Sequence, residues 1–163
     1  MKTLLIVWHS RTGGARQMAE AAETAAASEA GVAVRRLAAE TAGPEDLLAA
    51  DGYLFVAPEN LASLSGAMKE FFDRTYYPVL DRIQGRPYAA MICAGSDGTG
   101  AARQIARIAT GWRLRAVAEP IIVCTHAQTP EAILAEKTLG PETLAPCAEL
   151  GQALAAGLAL GVF

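Results

Sequence analysis

Disulfide chemistry has little to work with in this chain. Its three cysteines, Cys93, Cys124 and Cys147, are odd in number, far apart and without a C-x-x-C pair. That excludes a disulfide framework and leaves buried free thiols in a reducing compartment as the simplest reading. No run of like charge occurs either. Fourteen basic residues stand against seventeen acidic ones, a net charge of −3, so there is no electrostatic footprint for nucleic acid or an anionic membrane. No grouping of His, Cys, Asp and Glu has the spacing of a metal site. The absence of G-x-x-x-x-G-K-[ST] excludes the phosphate loop of ATP and GTP hydrolases. The first apolar run is not followed by G-x-G-x-x-G, and no acidic residue closes the second strand, which excludes a dinucleotide Rossmann site. No cysteine precedes the first glycine pair, so a thiol phosphatase is excluded as well. Long apolar runs are missing. MKTLLIVW has neither the length nor the cleavage site of a signal peptide, and Leu150 to Phe163 falls below the ~20 residues of a bilayer span. The expectation is a soluble, cytoplasmic protein with no membrane or nucleic-acid partner.

What the chain does have is a regular alternation. It is 52% hydrophobic and 19% charged, and its length corresponds to one domain, 1–163, with a substantial core. Thr3 to Trp8, Val32 to Arg36, Gly52 to Ala57, Tyr88 to Ala94 and Ile121 to Cys124 read as strands, the last starting as early as Leu114. Continuous apolar character suits strands covered on both faces. Helical periods separate them: Gly14 to Glu29 with a small-residue face, a short piece within Thr41 to Ala50, and a helix capped by Ser63 or Ser65 that runs to Tyr77. Thr99 to Trp112 and Pro141 to Ala156 complete the set. Five β-α repeats predict a parallel sheet with helices on both faces, and ligands in such sheets bind beyond the carboxyl ends of the strands. The loops to inspect are therefore His9 to Ala15, Pro58 to Leu64 and Gly95 to Gly98.

The first loop, His9-Ser10-Arg11-Thr12-Gly13-Gly14-Ala15, opens a helix, where unsatisfied amides and the helix dipole favour an anion. Two glycines let the backbone wrap closely, Ser10 and Thr12 can donate, and Arg11 or Arg16 adds charge. His9 is either near that anion or a polar strand end. His126 reads as a surface residue, Trp8 as core, and Tyr76 and Tyr77 as helix-face packing. Asp97 either accepts from a ligand or caps the fourth helix.

Strand–Ser10-Arg11-Thr12-Gly13-Gly14–helix resembles the FMN-phosphate loop of the flavodoxin-like superfamily. Pro58-Glu59-Asn60-Leu61, then Ser65-Gly66-Ala67-Met68-Lys69 and Phe71-Phe72-Asp73-Arg74-Thr75, is similar to the second flavin loop and following helix of its NAD(P)H-dependent reductases, including the quinone-reductase branch. Gly95-Ser96-Asp97-Gly98 stands at the third flavin loop. The resemblance covers essentially the whole chain. It implies a flavodoxin-like three-layer sandwich with a five-stranded parallel sheet in the order 2-1-3-4-5. It implies FMN as cofactor, its phosphate held by Ser10, Arg11, Thr12, Gly13, Gly14 and Ala15. Pro58, Glu59, Asn60 and Leu61 would line one side of the ring, and Gly95, Ser96, Asp97 and Gly98 the other. NAD(P)H would be the co-substrate, a quinone or other small molecule the acceptor, and a homo-oligomer the assembly, with Leu158, Leu160, Val162 and Phe163 a subunit contact or folded back on the core. Two departures stand out. Ala15 replaces a hydroxyl residue usual in the phosphate loop, and no aromatic sits in the second or third loop, unlike electron-shuttle flavodoxins. The reading is an FMN-dependent oxidoreductase. Its alternatives are a one-electron carrier and a non-catalytic relative with weak or no FMN, and no side chain is assigned a catalytic role.

Overall fold

The computed structural model describes residues 1–163. Strand β1 (Lys2–Trp8) leads into α1 (Gly14–Ala26), β2 (Val32–Ala38), the short α2 (Pro44–Ala49) and β3 (Gly52–Asn60). A two-residue strand, β4 (Ser63–Leu64), precedes α3 (Gly66–Val79), β5 (Pro87–Ala94) and α4 (Thr99–Gly111). Then come β6 (Arg115–Ala116), β7 (Ile121–Cys124), α5 (Pro130–Leu134) and α6 (Pro141–Leu160). The sheet runs β2-β1-β3-β5, with β6 and β7 both parallel to β5 on its outer side. With β6 and β7 taken as one interrupted fifth strand, this is the expected 2-1-3-4-5 order. The interruption falls at Ala118-Glu119-Pro120, and a proline cannot donate to the ladder.

Strand side chains alternate between two separate cores. Leu4, Ile6, Leu54, Val56, Ala89, Met91 and Cys93 face α1 and α6. Leu5, Val7, Tyr53, Phe55, Ala90 and Ile92 face α2, α3 and α4. This two-sided burial is why the strand sequences are continuously apolar. The alanine-rich face of α1 sits against α6 so closely that a Cβ on Gly151 would strike the Ala22 backbone. On the other face Phe55, Phe72 and Trp112 form a chain of aromatic contacts, with centroids 5.1 and 5.7 Å apart.

The structure corrects the sequence expectations at several points. Helix α6 extends to Leu160, four residues beyond its expected end, and is the one helix long and apolar enough to cross a membrane. Its Cys147, Leu150, Leu154 and Leu158 are buried against the α1 side of the sheet. Leu158 and Phe163 fold back on the core, while Leu160 and Val162 stay exposed. Trp8 is only half-buried, and the Arg36 guanidinium lies 5.5 Å from its ring centroid. Tyr77 is exposed, whereas Tyr76 stacks on Trp112. The β3–β4 hairpin and α5 had no counterpart in the sequence reading.

Most of the helix motif that carried the resemblance is scaffold. Phe71 and Phe72 are in the core, and Thr75 Oγ1 donates to the Phe71 carbonyl at 2.8 Å. Arg74 donates to the Ala39 and Ala42 carbonyls at 2.9 and 2.7 Å, holding the connection after β2. Arg86 does similar work at the end of α2, donating to the carbonyls of Leu47, Leu48 and Ala50.

Candidate functional site

Strands β1, β3 and β5 end side by side, and a cleft of about 530 Å³ opens beyond them. Ser10, Arg11, Thr12, Gly14 and Ala15 line it from the first loop, Pro58, Glu59, Asn60 and Leu61 from the second, and Gly95 and Ser96 from the third. The three loops singled out from the sequence thus meet at one place. Three expected residues do not reach the cleft lining. Gly13 and Gly98 are the left-handed N-caps of α1 and α4, with φ of 96° and 87°. Asp97 is exposed and accepts from the Thr99 amide and hydroxyl, contacts that hold its carboxyl below the ordinary range.

The first loop is shaped as an acceptor-binding cradle. The Gly13 amide donates to Ser10 Oγ at 3.0 Å. Gln17 is the first α1 residue whose amide has a carbonyl acceptor, Gly13 O at 3.1 Å, so those of Gly14, Ala15 and Arg16 remain without one. Ser10 accepts a bond and keeps its own proton to donate outward. A Cβ at Gly14 would stand 2.5 Å from Cys93 Sγ, so a side chain there would require that thiol to shift. Arg16 is not free for a ligand, since it pairs with Glu20 and Glu136. Arg11 is exposed and has no ion pair.

Glu59 has a double position. It borders the cleft, yet its carboxylate accepts from the Gly98 and Ala101 amides, both at 2.9 Å. It therefore caps α4 and ties the second loop to the third. At the hairpin tip Leu61 and Ala62 have φ of 52° and 63°. Neither is Gly or Asn, so the turn stores strain beside the cleft. Leu61 is fully exposed there.

His9 is not among the residues that line the cleft. Its Nδ1 is 2.8 Å from Ser65 Oγ, and burial lowers its pKa despite Glu40 nearby. Ser65 is thus the α3 N-cap residue but uses its hydroxyl on His9. His126 is an exposed loop residue. Sequence reasoning missed the far wall, formed by Cys93, Thr125, Gln128, Ile133, Leu134 and Lys137. Cys93 was legible only as core, and burial raises its thiol pKa, with the Lys137 charge opposing. The rest lies on a segment with no motif. None of the twenty lining residues is aromatic.

A parallel sheet in this order, with its cleft beyond β1, β3 and β5, is the flavodoxin-like α/β fold. Solved structures agree. An archaeal flavodoxin superposes with a TM-score of 0.76 at 20% identity, covering 96% of this chain and 98% of that one. A flavodoxin, WrbA-like protein from Agrobacterium tumefaciens gives 0.71 at 18% identity, covering 99% of each. The NADPH-dependent FMN reductase family matches residues 41–128, and the chain belongs to that family. Among curated relatives, a flavodoxin of Aquifex aeolicus is 34% identical over 61% of this chain and 54% of its own. An NAD(P)H dehydrogenase (quinone) of Acidithiobacillus ferrooxidans is 34% identical over 46% of this chain and 48% of its own. The chain spans about half the length of these curated relatives.

The family's cofactor is FMN, and the cradle fits it. A phosphate is only an acceptor, and the first loop offers donors: three amides without a protein partner and the proton of Ser10. The cleft, at about 530 Å³, lies within the usual range for a small-molecule site.

Proposed function

We propose that this chain is an FMN-dependent oxidoreductase that passes electrons from NAD(P)H to a quinone or another small acceptor. The observation that carries the reading is a flavin-sized cleft without aromatic residues. In an electron shuttle, aromatic side chains cover the flavin. Here the second and third loops leave room for another planar ring to stack.

The bound flavin would supply the redox chemistry, taking a hydride from the nicotinamide and releasing two electrons to the acceptor. The protein's part is positioning and polarity. Ser10 Oγ and the amides at the start of α1 would hold the phosphate. Pro58 to Leu61 would form one wall and keep water from it. The Gly95 and Ser96 amides have no protein acceptor and line the cleft, so they can donate to the polar edge of the ring as charge develops there. The Glu59 carboxylate holds these two loops in register. No side-chain nucleophile or base is required, and Cys93, kept protonated by burial, is not one.

A visible spectrum of the protein with saturating FMN, taken before and after anaerobic NADPH, tests this. Bleaching at a rate above that of free FMN is the expected result. A flavin that binds and stays oxidised points to the one-electron carrier, and a protein that binds no flavin points to the non-catalytic relative.

A further inference from the structure

The segment after β7 does more than connect it to α6. It crosses back over the first loop and is fastened there at several points. The Lys137 amide donates to the Thr12 carbonyl at 2.7 Å, Gln17 Nε2 donates to the Lys137 carbonyl at 2.7 Å, and the Leu139 amide donates to Gln17 Oε1 at 2.9 Å. Glu136 pairs with Arg16 at 3.3 Å, its carboxylate lying beside Gly13. Lys137 is turned into the cleft.

Its ammonium is fixed. Nζ donates to the Ile133 and Ala135 carbonyls at 2.9 and 2.6 Å, and makes a longer contact of 3.4 Å with Thr12 Oγ1. Lys137 is half-buried while its neighbours from Glu131 to Glu136 are all exposed. Two carbonyls at the end of a helical turn favour a cation there. The Thr12 contact is the longest of the three, so the third N–H is the one that an anion in the cradle can draw to itself. Arg11, the other cation on the cleft, has no such anchoring and would lose more side-chain freedom on binding.

We infer that Lys137 is the counter-charge of the flavin phosphate, making this cleft select phosphorylated over unphosphorylated flavin and replacing the hydroxyl that the loop lacks at Ala15. The inference rests on the FMN reading above. It adds a charged partner from a distant part of the chain to a cradle otherwise built of amides and hydroxyls.

The experiment is a comparison of FMN and riboflavin affinities by fluorescence quenching for the wild type, Lys137→Met and Lys137→Arg. Lys137→Met keeps the aliphatic stem and removes the charge. The expected result is a loss of about ten- to hundredfold in FMN affinity, the range of a hydrogen bond to a charged group. Riboflavin affinity should be unmoved, and Lys137→Arg should recover most of the FMN affinity. Equal losses for both flavins would show that Lys137 only braces the segment, and would overturn the inference. So would unchanged FMN affinity, or a wild type that binds riboflavin as tightly as FMN. A wild type that binds neither flavin would overturn the FMN reading itself.

Discussion

Single residues around the cleft carry duties that their types do not announce. Glu59 is a helix cap reached from another loop, and its two accepted bonds connect β3 to the start of α4. Glu59→Ala is expected to reduce stability by about 1–2 kcal/mol, the range for a lost cap, measured by urea unfolding. It should also weaken flavin binding, because the second and third loops lose their tie. At the hairpin tip, Ala62 has φ 63°. Ala62→Gly is expected to raise stability by about 0.5–1 kcal/mol by relieving a left-handed alanine, partly offset by the freedom of glycine in the unfolded chain. A fall in stability would mean that the turn is not strained as drawn. His9 has its pKa lowered from 6.5, chiefly by burial. The unfolded chain therefore binds its proton more readily, and stability present above about pH 6.5 is lost as pH falls toward the lower folded-state value. In His9→Gln that part of the slope should disappear from unfolding curves taken at successive pH values.

The helices show how closely their sequences answer to their partners. The small-residue face of α1 looks like mere helix propensity, but it admits α6 to backbone contact at Gly151. Gly151→Val is expected to lose more than about 2 kcal/mol, since the clash is with backbone and cannot be relieved by a side-chain rotation. An unfolding midpoint close to that of the wild type would refute that packing. Helix α3 was legible from its i, i+3, i+4, i+7 stripe, and Met68, Phe71, Phe72 and Thr75 are indeed buried. Element α5, by contrast, is five residues long with none buried. Nothing in its period distinguishes it from a loop, and the contacts that fasten this part of the chain to the first loop come from Lys137 and Leu139, beyond the helix.

For the molecule as a whole, the candidate site is where the connections from the carboxyl ends of β1, β3 and β5 converge on a single cleft. A ligand that binds only the folded state stabilises it by mass action. FMN at a hundredfold excess over its dissociation constant contributes about 2.7 kcal/mol. For a domain of this length that corresponds to a rise of about 5–10 °C in Tm. Riboflavin at the same concentration should give a smaller shift. No shift with FMN would remove the basis for every binding role proposed for the three loops.

The strand order came with the resemblance to the flavodoxin-like superfamily, whereas local patterning was enough to establish the β-α alternation, the parallel sheet and the three loops beyond its strand ends. Each of those follows from contacts close along the chain: continuous apolar runs, helical periods and glycine-rich turns. Eleven of the fourteen residues that the resemblance implied line the cleft. The remaining decisions were long-range. Glu59 reaches α4, the Cys93 thiol packs against Gly14, and Lys137 returns to Thr12. Such pairings join residues between 39 and 125 positions apart. A carboxylate, thiol or ammonium looks the same in sequence whether it faces water or a partner. Only the folded chain brings the partner within reach.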